Sequence, residues 1–302
     1  MKTNSHKSGY VALIGRPNAG KSTLLNSILG SKLVAVTPHP QTTRNRIFGI
    51  YDREDVQIVF QDTPGLLDPK DAMHEFMVRE AERALADADA AVWLIDAIKG
   101  VTPRENIIAD NMLTKLKIPL LVAINKIDKI KKNQLIEQMD TIRKIPFDPI
   151  PPVHPVSALF GEGVERLLQN ICSFLPQGPK FFPPDQLSDR AQRFFVAELI
   201  REKAFLLLRQ ELPYSLAVQI ETMKERDDGV TAIQAVLYVE RDSQKGILVG
   251  KKGAMIKQIG TEARKDVEKM LEGKVFLELW VKVSPKWRKN RERLKEFGYA
   301  EP

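Results

Sequence analysis

Short apolar runs alternate with segments of helical length through the first 175 residues, and this alternation constrains the fold more than any other feature of the sequence. The apolar runs are 10–14, 47–51, 56–60, 91–95 and 120–124. Helices are expected at 21–29, 74–86, 104–116, 132–143 and 164–174. The runs YVALI, AVWLI and LLVAI lack polar alternation, which is typical of strands covered by helices on both faces, whereas VQIVF is expected nearer an edge. The pattern predicts an α/β fold on a mostly parallel sheet.

A proline-rich segment then interrupts the pattern. Residues 175–186 read LPQGPKFFPPDQ and hold four prolines and one glycine, too many for a helix or a strand. We therefore expect a linker at 176–186 that separates a first domain, 1–175, from a second, 187–302.

The second domain has a different order of elements. A helix is expected after a cap at Ser188 or Asp189, followed by the strands YSLAVQIET and TAIQAVLYVER, a glycine loop, a long helix and the one-sided strand VFLELWVKV. A short basic helix capped at Ser284 is expected in SPKWRKNRERLKEFGY, residues 284–299. This order predicts an α+β domain.

The cysteine content and the length of the apolar runs indicate the cellular compartment of the protein. Cys172 is the one cysteine, so an intramolecular disulfide and a cysteine metal cluster are both excluded. No apolar run approaches the roughly 18 residues that a membrane span needs, and MKTNSHKSGY lacks the apolar core of a signal peptide. We expect a cytoplasmic protein that is neither integral to a membrane nor secreted through a signal peptide.

The first apolar strand runs into GRPNAGKS, residues 15–22, and then into a helix. This is the G-x-x-x-x-G-K-S phosphate-binding loop in its strand–loop–helix context. Gly15 and Gly20 allow successive backbone N–H groups to face a phosphate, Lys21 is expected between the β- and γ-phosphates, and Ser22 is expected to bind Mg²⁺. The other residues predicted to contact the nucleotide here are Asn18, Ala19 and Thr23.

Asn125-Lys126-Ile127-Asp128 follows the apolar strand PLLVAI and favours guanine over adenine. The Asp128 carboxylate can accept hydrogen bonds from guanine N1–H and the 2-amino group, and adenine offers neither donor there. Asn125 is expected to tie this loop to the phosphate loop, and the stem of Lys126 is expected to lie over the base. Ser157 and Ala158 are added to the base site because the Ala158 N–H can reach guanine O6.

Two further motifs are expected at the γ-phosphate. Asp62-Thr63-Pro64-Gly65 follows VQIVF, so Asp62 can hold Mg²⁺ and the Gly65 N–H can reach the γ-phosphate. In QTTR, Thr43 is favoured over Thr42 as a magnesium ligand that forms only with the γ-phosphate present. The predicted metal ligands are Ser22, Thr43 and Asp62, and the predicted catalytic residues are Lys21, Thr43 and Gly65.

A glycine loop in the second domain indicates RNA. Gly250, Lys251, Lys252 and Gly253 fit the GXXG loop of a KH domain, and the flanking β-α-loop-α-β order supports a KH domain of type II. The whole chain carries a net charge of +7, yet residues 241–295 alone hold 16 basic and seven acidic side chains. Such clustering favours a nucleic-acid partner. The other predicted RNA-binding residues are Lys257, Lys286, Arg288 and Lys289; Trp287 either stacks on a base or packs, and packing is favoured.

Together, GRPNAGKS, QTTR, DTPG, NKID and SAL, followed by a KH domain, resemble the Era-type translation-factor-related GTPases of bacteria. The resemblance covers nearly the whole chain and includes ELPYS, residues 211–215, and LELWVKV, residues 277–283. It implies a monomer that hydrolyses GTP to GDP with Mg²⁺, binds the 3′ end of 16S ribosomal RNA and acts in assembly of the 30S ribosomal subunit.

One departure from the Ras pattern bears on hydrolysis. Leu66 follows DTPG where Ras-like enzymes carry a glutamine that orients the attacking water, so slow intrinsic hydrolysis is expected. Asn18 occupies the position at which potassium-activated relatives help bind K⁺. Either K⁺ beside Asn18 supplies positive charge in the transition state, or Asn18 only stabilises the loop.

Three interpretations of function follow. The leading one is a GTP-hydrolysing switch in which Thr42–Thr43 and Asp62–Leu67 sense the γ-phosphate and govern how the KH domain meets RNA. The second is an RNA-binding assembly chaperone in which GTP is only a structural ligand. The third is peripheral association of the basic tail with the inner face of the cell membrane, although the tail lacks an apolar stripe for insertion.

Overall fold

The computed structural model describes residues 6–66, 68–208 and 212–299. Leu67 of the second switch segment and Glu211 of ELPYS lie outside the described residues. The chain divides into two compact units, which are described separately: one comprises Met1–Val34, Thr43–Asp68 and Met77–Asp189, and the other Ala35–Thr42, Pro69–Phe76 and Arg190–Pro302.

The described strands are β1 Lys7–Gly15, β2 Ile47–Asp52, β3 Val56–Asp62, β4 Ala90–Asp96, β5 Leu120–Asn125, β6 Val153–Val156, β7 Ala217–Glu225, β8 Thr231–Val239 and β9 Val275–Val283. The α-helices are α1 Lys21–Leu29, α2 Ala72–Ala86, α3 Pro103–Asn111, α4 Lys132–Arg143, α5 Val164–Phe174, α6 Gln192–Leu207, α7 Asp242–Val249, α8 Ala254–Leu271 and α9 Arg291–Glu296. No described helix is both long enough and apolar enough to cross a bilayer.

The first unit is built on a six-stranded sheet of order β2-β3-β1-β4-β5-β6. Only β2 is antiparallel to its neighbour, β3, which confirms the mostly parallel sheet. As expected, β3, which contains VQIVF, lies nearer an edge than β1 and β4, because it is next to the edge strand β2; every residue of β3 is nevertheless buried. Gln57 on β3 can be buried because its amide is fully engaged in hydrogen bonds.

The proline-rich segment accounts for those bonds. Gln57 Oε1 accepts the N–H groups of Phe181 at 2.7 Å and Phe182 at 2.9 Å, and Gln57 Nε2 donates to the Phe182 carbonyl at 2.9 Å. Farther along, the Ile50 N–H of β2 donates to the Leu187 carbonyl at 2.9 Å. The segment read as a linker is therefore bound along its length to the sheet of the first unit.

The second unit contains a three-stranded sheet of order β7-β8-β9. Strands β7 and β8 are antiparallel, β8 and β9 are parallel, and the apolar face of the sheet packs with residues of α6 and α8 in one core. The order α6-β7-β8-α7-α8-β9 gives the expected α+β KH domain. The run GILV lies within helix α7.

Two predicted helix caps are wrong. Helix α6 begins at Gln192 after Ala191, not after Ser188 or Asp189. The C-terminal helix α9 begins after Asn290, whose Oδ1 accepts the N–H groups of Glu292 and Arg293 at 2.9 and 3.2 Å, and not after Ser284. Ser284 lies at the end of β9 instead, where its N–H donates to the Val239 carbonyl at 2.8 Å.

Candidate functional site

The phosphate-binding loop joins β1 to α1 and is closed on itself. Lys21 Nζ donates to the carbonyl oxygens of Gly15 at 3.1 Å and Arg16 at 3.2 Å. Burial lowers the pKa of Lys21 to about 8, although the nearby Asp62 carboxylate opposes this. The buried ammonium is held by two backbone carbonyl oxygens, which phosphate oxygens can replace because a charged acceptor makes a stronger hydrogen bond.

Gly20 lies where the loop meets the NKID segment. Its φ is +98°, and a Cβ at this position would lie 2.1 Å from Asn125 Nδ2. Glycine is therefore required for both backbone conformation and space. The same Asn125 side chain donates from Nδ2 to the Ala19 carbonyl at 2.8 Å, which joins the two loops as expected.

The three side chains predicted to bind Mg²⁺ bring their oxygen atoms together in one cluster. The Ser22 hydroxyl lies 2.7 Å from Asp62 Oδ2 and 2.9 Å from the Thr43 hydroxyl, which in turn lies 3.2 Å from Asp62 Oδ2. Asp62 Oδ1 is buried and has no hydrogen-bond partner among the described residues. Burial raises the pKa of the Asp62 carboxyl, while Lys21 and the two hydroxyls oppose the rise. Two hydroxyls and a carboxylate with a spare oxygen fit Mg²⁺.

The geometry favours Thr43 over Thr42 at this position. The Thr42 hydroxyl lies 2.6 Å from the Thr37 hydroxyl and donates to the His39 carbonyl at 2.8 Å. It is engaged within its own segment, whereas the Thr43 hydroxyl reaches Ser22 and Asp62.

The DTPG segment packs directly against the phosphate loop. A Cβ on Gly65 would lie 2.4 Å from Pro17 N, so only glycine allows this approach. The Leu66 N–H donates to the Gly15 carbonyl at 3.0 Å, and the Leu66 side chain is buried. Leu66 therefore offers no polar group that could orient a water molecule.

The residues predicted to recognise the base lie at the ends of β5 and β6. Asn125 Oδ1 accepts the N–H groups of Lys126 at 2.8 Å and Ala158 at 3.0 Å. Asp128 Oδ1 accepts the Ser157 hydroxyl at 2.7 Å. Hydrogen bonds thus connect the NKID loop to the SAL loop, and the Asn125 side chain also connects it to the phosphate loop.

Asp96 is a member of this neighbourhood that sequence reasoning missed. It ends β4, opposite Asn125 on β5, and its Oδ2 lies 2.8 Å from Lys126 Nζ. An acidic residue closing the apolar run AVWLI, next to the strand that carries NKID, is a signal that could have identified it.

The candidate RNA site lies between α7 and α8. Gly250, Lys251, Lys252 and Gly253 form the turn that joins the two helices, and both lysines are exposed. Beside it, α8 and β9 form an open groove of about 250 Å³ lined by Ile256, Lys257, Gly260, Thr261, Arg264, Leu277 and Leu279. The lining combines apolar side chains with the two cations Lys257 and Arg264, a combination that can hold a base next to a phosphate.

The basic tail is divided in its contacts. Lys286 and Lys289 are exposed, whereas Arg288 donates from Nε and Nη2 to Glu240 Oε2 at 3.2 and 2.9 Å. Trp287 is fully buried, and its Nε1 donates to the Ser215 carbonyl at 2.9 Å. The indole therefore packs in the domain, whereas Lys286 and Lys289 on either side of it face solvent, as do Arg291, Arg293 and Lys295 farther along the tail.

Comparison with family models identifies both halves. Residues 10–126 match the model described as a 50S ribosome-binding GTPase, and residues 211–288 match a KH domain. Two curated relatives, both GTPase Era, come from Geotalea uraniireducens and Halothermothrix orenii. They are 47% and 44% identical to this chain over 99% and 98% of its length, and 100% and 99% of theirs.

Solved structures agree with this over the whole chain. One is Era in complex with MgGDPNP and nucleotides 1506–1542 of 16S ribosomal RNA, with a TM-score of 0.95 and 41% identity, covering 98% of this chain and 100% of the other. Another, a variant of Aquifex aeolicus Era bound to GDP and AlF₄⁻, has the same TM-score, identity and coverage.

Proposed function

The chain belongs to the Era family of GTPases, and from this premise we propose that its GTP hydrolysis controls binding to the 3′ end of 16S ribosomal RNA during maturation of the 30S ribosomal subunit. The observation that supports the proposal is the cluster of Ser22, Thr43 and Asp62 oxygens beside Lys21, in a phosphate loop that Asn125 joins to the NKID segment. In this switch, the segment that carries Thr43 becomes ordered only when the γ-phosphate is present, because only then does Thr43 bind the metal.

Each predicted site residue has a role in this proposal. Gly15, Asn18, Ala19, Gly20 and Thr23 line the phosphates, and Lys21 bridges the β- and γ-phosphates. Ser22, Thr43 and Asp62 hold Mg²⁺, which neutralises charge on the transferring phosphoryl group. Gly65 donates its N–H to the γ-phosphate. Asn125, Lys126, Asp128, Ser157 and Ala158 form the guanine site.

For RNA, we assign the GXXG loop and the lysines near it. Gly250 and Gly253 bring the backbone close to the nucleic acid, and Lys251, Lys252 and Lys257 neutralise phosphates. Lys286 and Lys289 extend this basic surface, while Arg288 contributes only if it leaves Glu240. In functional terms the GTPase domain is 1–175, the connecting segment 176–186 and the RNA-binding domain 187–302.

Hydrolysis needs a group to replace the missing glutamine, because Leu66 cannot supply one. K⁺ beside Asn18 is one source of positive charge, and a purely structural Asn18 is the alternative. Asn18 has a left-handed backbone, with φ +65°, and its carbonyl already accepts Lys126 Nζ at 2.7 Å. Equal hydrolysis rates in KCl and NaCl would exclude the K⁺ role.

The decisive experiment measures phosphate release with and without short oligonucleotides of the 16S rRNA 3′ end, in K⁺ and in Na⁺. The switch proposal predicts faster hydrolysis with RNA and none in Lys21→Ala. Absence of RNA stimulation would overturn the coupling. If Lys21→Ala bound no nucleotide yet supported 30S assembly fully, an RNA chaperone with GTP as a structural ligand would replace the switch.

We propose that the protein acts as a monomer in the cytoplasm. Peripheral association at the inner face of the membrane is supported only by the basic tail. Flotation with anionic liposomes at low salt tests it, and a protein that stays at the bottom of the gradient would remove the membrane from the proposal.

A further inference from the structure

Asp96, which belongs to none of the five sequence motifs, forms an ion pair with Lys126 of NKID. Lys126 Nζ lies 2.8 Å from Asp96 Oδ2 and 2.7 Å from the Asn18 carbonyl oxygen. The Asp96 side chain is 10% exposed and that of Lys126 is 31% exposed. The contact is thus largely shielded from water, which strengthens it relative to a surface ion pair.

The carboxylate is itself held in place. Asp96 Oδ1 accepts the Ile98 N–H at 2.9 Å, which leaves Oδ2 for Lys126. The backbone around it is fixed by strand pairing, because Asp96 lies opposite Asn125 and the Ala97 N–H donates to the Asn125 carbonyl at 2.8 Å. Asp96 is therefore a rigid acceptor beside a loop residue.

Lys126 needs such an acceptor. Its backbone is in the left-handed region, with φ +69°, a conformation that neighbouring contacts must hold in a residue other than glycine. A lysine side chain also loses rotamer entropy when it is fixed, and a charged partner offsets this loss. The Asn18 carbonyl is neutral, so Asp96 is the one charged partner of this ammonium in the described part of the chain.

We propose that Asp96 is a positioning residue for guanine recognition. It holds the Lys126 ammonium against the phosphate loop, so that the aliphatic stem of Lys126 is fixed where it covers the base. This inference rests on the proposed function, which places the base beside Lys126 and Asp128. Because the contact is at the base end, Asp96 strengthens GDP and GTP binding by the same factor and leaves the hydrolytic step unchanged.

The test is a double-mutant cycle of Asp96→Asn and Lys126→Ala, read out with fluorescent GDP and a non-hydrolysable GTP analogue. Asn is isosteric and retains an acceptor for the Ile98 N–H. In the native background Asp96→Asn weakens both nucleotides about five- to tenfold, mainly through faster dissociation. In the Lys126→Ala background the same change has less than about a twofold effect. An equal loss in both backgrounds would overturn the proposal.

Asp52→Asn is the matched control. The Asp52 carboxylate also lies 2.8 Å from a lysine ammonium, that of Lys180. Asp52 is at the far end of the β2–β3 pair from Asp62, where its backbone is in register with Gln57. Its loss should leave nucleotide affinity unchanged. Asp128→Asn separates the two levels of inference: if it fails to shift preference from guanine to xanthine nucleotides, the base site is misplaced, whereas a shift without Asp96–Lys126 coupling defeats only the role of Asp96.

Discussion

Asn125 Nδ2 donates a hydrogen bond of 2.8 Å to the carbonyl oxygen of Ala19. The Oδ1 atom of the same side chain accepts the Lys126 and Ala158 N–H groups. One amide, on a residue that is 2% exposed, therefore links the phosphate loop to both loops of the base site. It acts as donor and acceptor at once, which a carboxylate cannot do.

Asn125→Asp should weaken GDP and GTP binding by at least about tenfold each, because a buried carboxylate would face the Ala19 carbonyl without a proton to donate. Fluorescent-nucleotide titration measures both affinities. Asn106→Asp, at an exposed position on α3, is the control and should bind normally. Native-like affinity in Asn125→Asp would contradict the bridging role.

Thr43→Ala and Thr42→Ala distinguish the two adjacent hydroxyls. Thr43→Ala should reduce the Mg²⁺-dependent gain in affinity for a GTP analogue by about tenfold, because it removes one metal ligand, and should leave GDP affinity unchanged. Thr42→Ala should change neither, since its hydroxyl contacts Thr37 and His39. Nucleotide titrations of both variants, with and without Mg²⁺, measure these affinities. A larger loss of affinity for the GTP analogue in Thr42→Ala than in Thr43→Ala would make Thr42 the metal ligand instead.

The loops of the proposed nucleotide site were largely predictable because each is encoded locally in the sequence. GRPNAGKS and NKID each encode a loop after a buried strand, and parallel strands bring their carboxyl ends to one edge. Asp96 was missed because its role depends on the pairing of β4 with β5 and not on a motif. The caps at Ser188 and Ser284 were wrong since residues near them are bound to neighbouring strands instead.

The docked proline-rich segment could not be predicted for a similar reason. Its prolines exclude regular structure, but its binding to β3 depends on Gln57, more than a hundred residues earlier in the chain. A glutamine within an apolar run indicates a strand near the edge of a sheet only if its side chain is assumed to be exposed to solvent. Here its four hydrogen bonds satisfy the amide inside the sheet.

Gln57→Ala should therefore lower the free energy of unfolding by about 1–3 kcal/mol and expose 176–188 to proteases, because the Phe181 and Phe182 N–H groups lose their acceptor. Urea unfolding and limited proteolysis measure the two effects. Gln169→Ala, at an exposed position on α5, should stay within about 0.5 kcal/mol of the native chain. Unchanged proteolysis in Gln57→Ala would mean that other contacts suffice.

His154 gives the first unit an acid-sensitive step. It is 5% exposed on β6, and burial, with the charge of Arg166, lowers its pKa below the ordinary 6.5. As the pH drops below about 6.5, His154 takes up a proton more readily in the unfolded chain than in the folded one. The free energy of unfolding therefore decreases on acidification, by at most about 1.4 kcal/mol per pH unit. His154→Asn should flatten this slope in urea unfolding between about pH 5.5 and 7.5. Identical slopes would exclude His154.

Lys251→Ala/Lys252→Ala tests the GXXG loop as an electrostatic contact with RNA. Both lysines are exposed, and each phosphate contact on a single strand contributes about 0.7 to the slope of log affinity against log salt. The double variant should therefore bind a 16S rRNA 3′ oligonucleotide more weakly and with a slope reduced by about 1.4. Lys131→Ala/Lys132→Ala, an adjacent exposed pair in the first unit, is the control. Equal slopes in the native chain and the loop variant would place the RNA phosphates elsewhere.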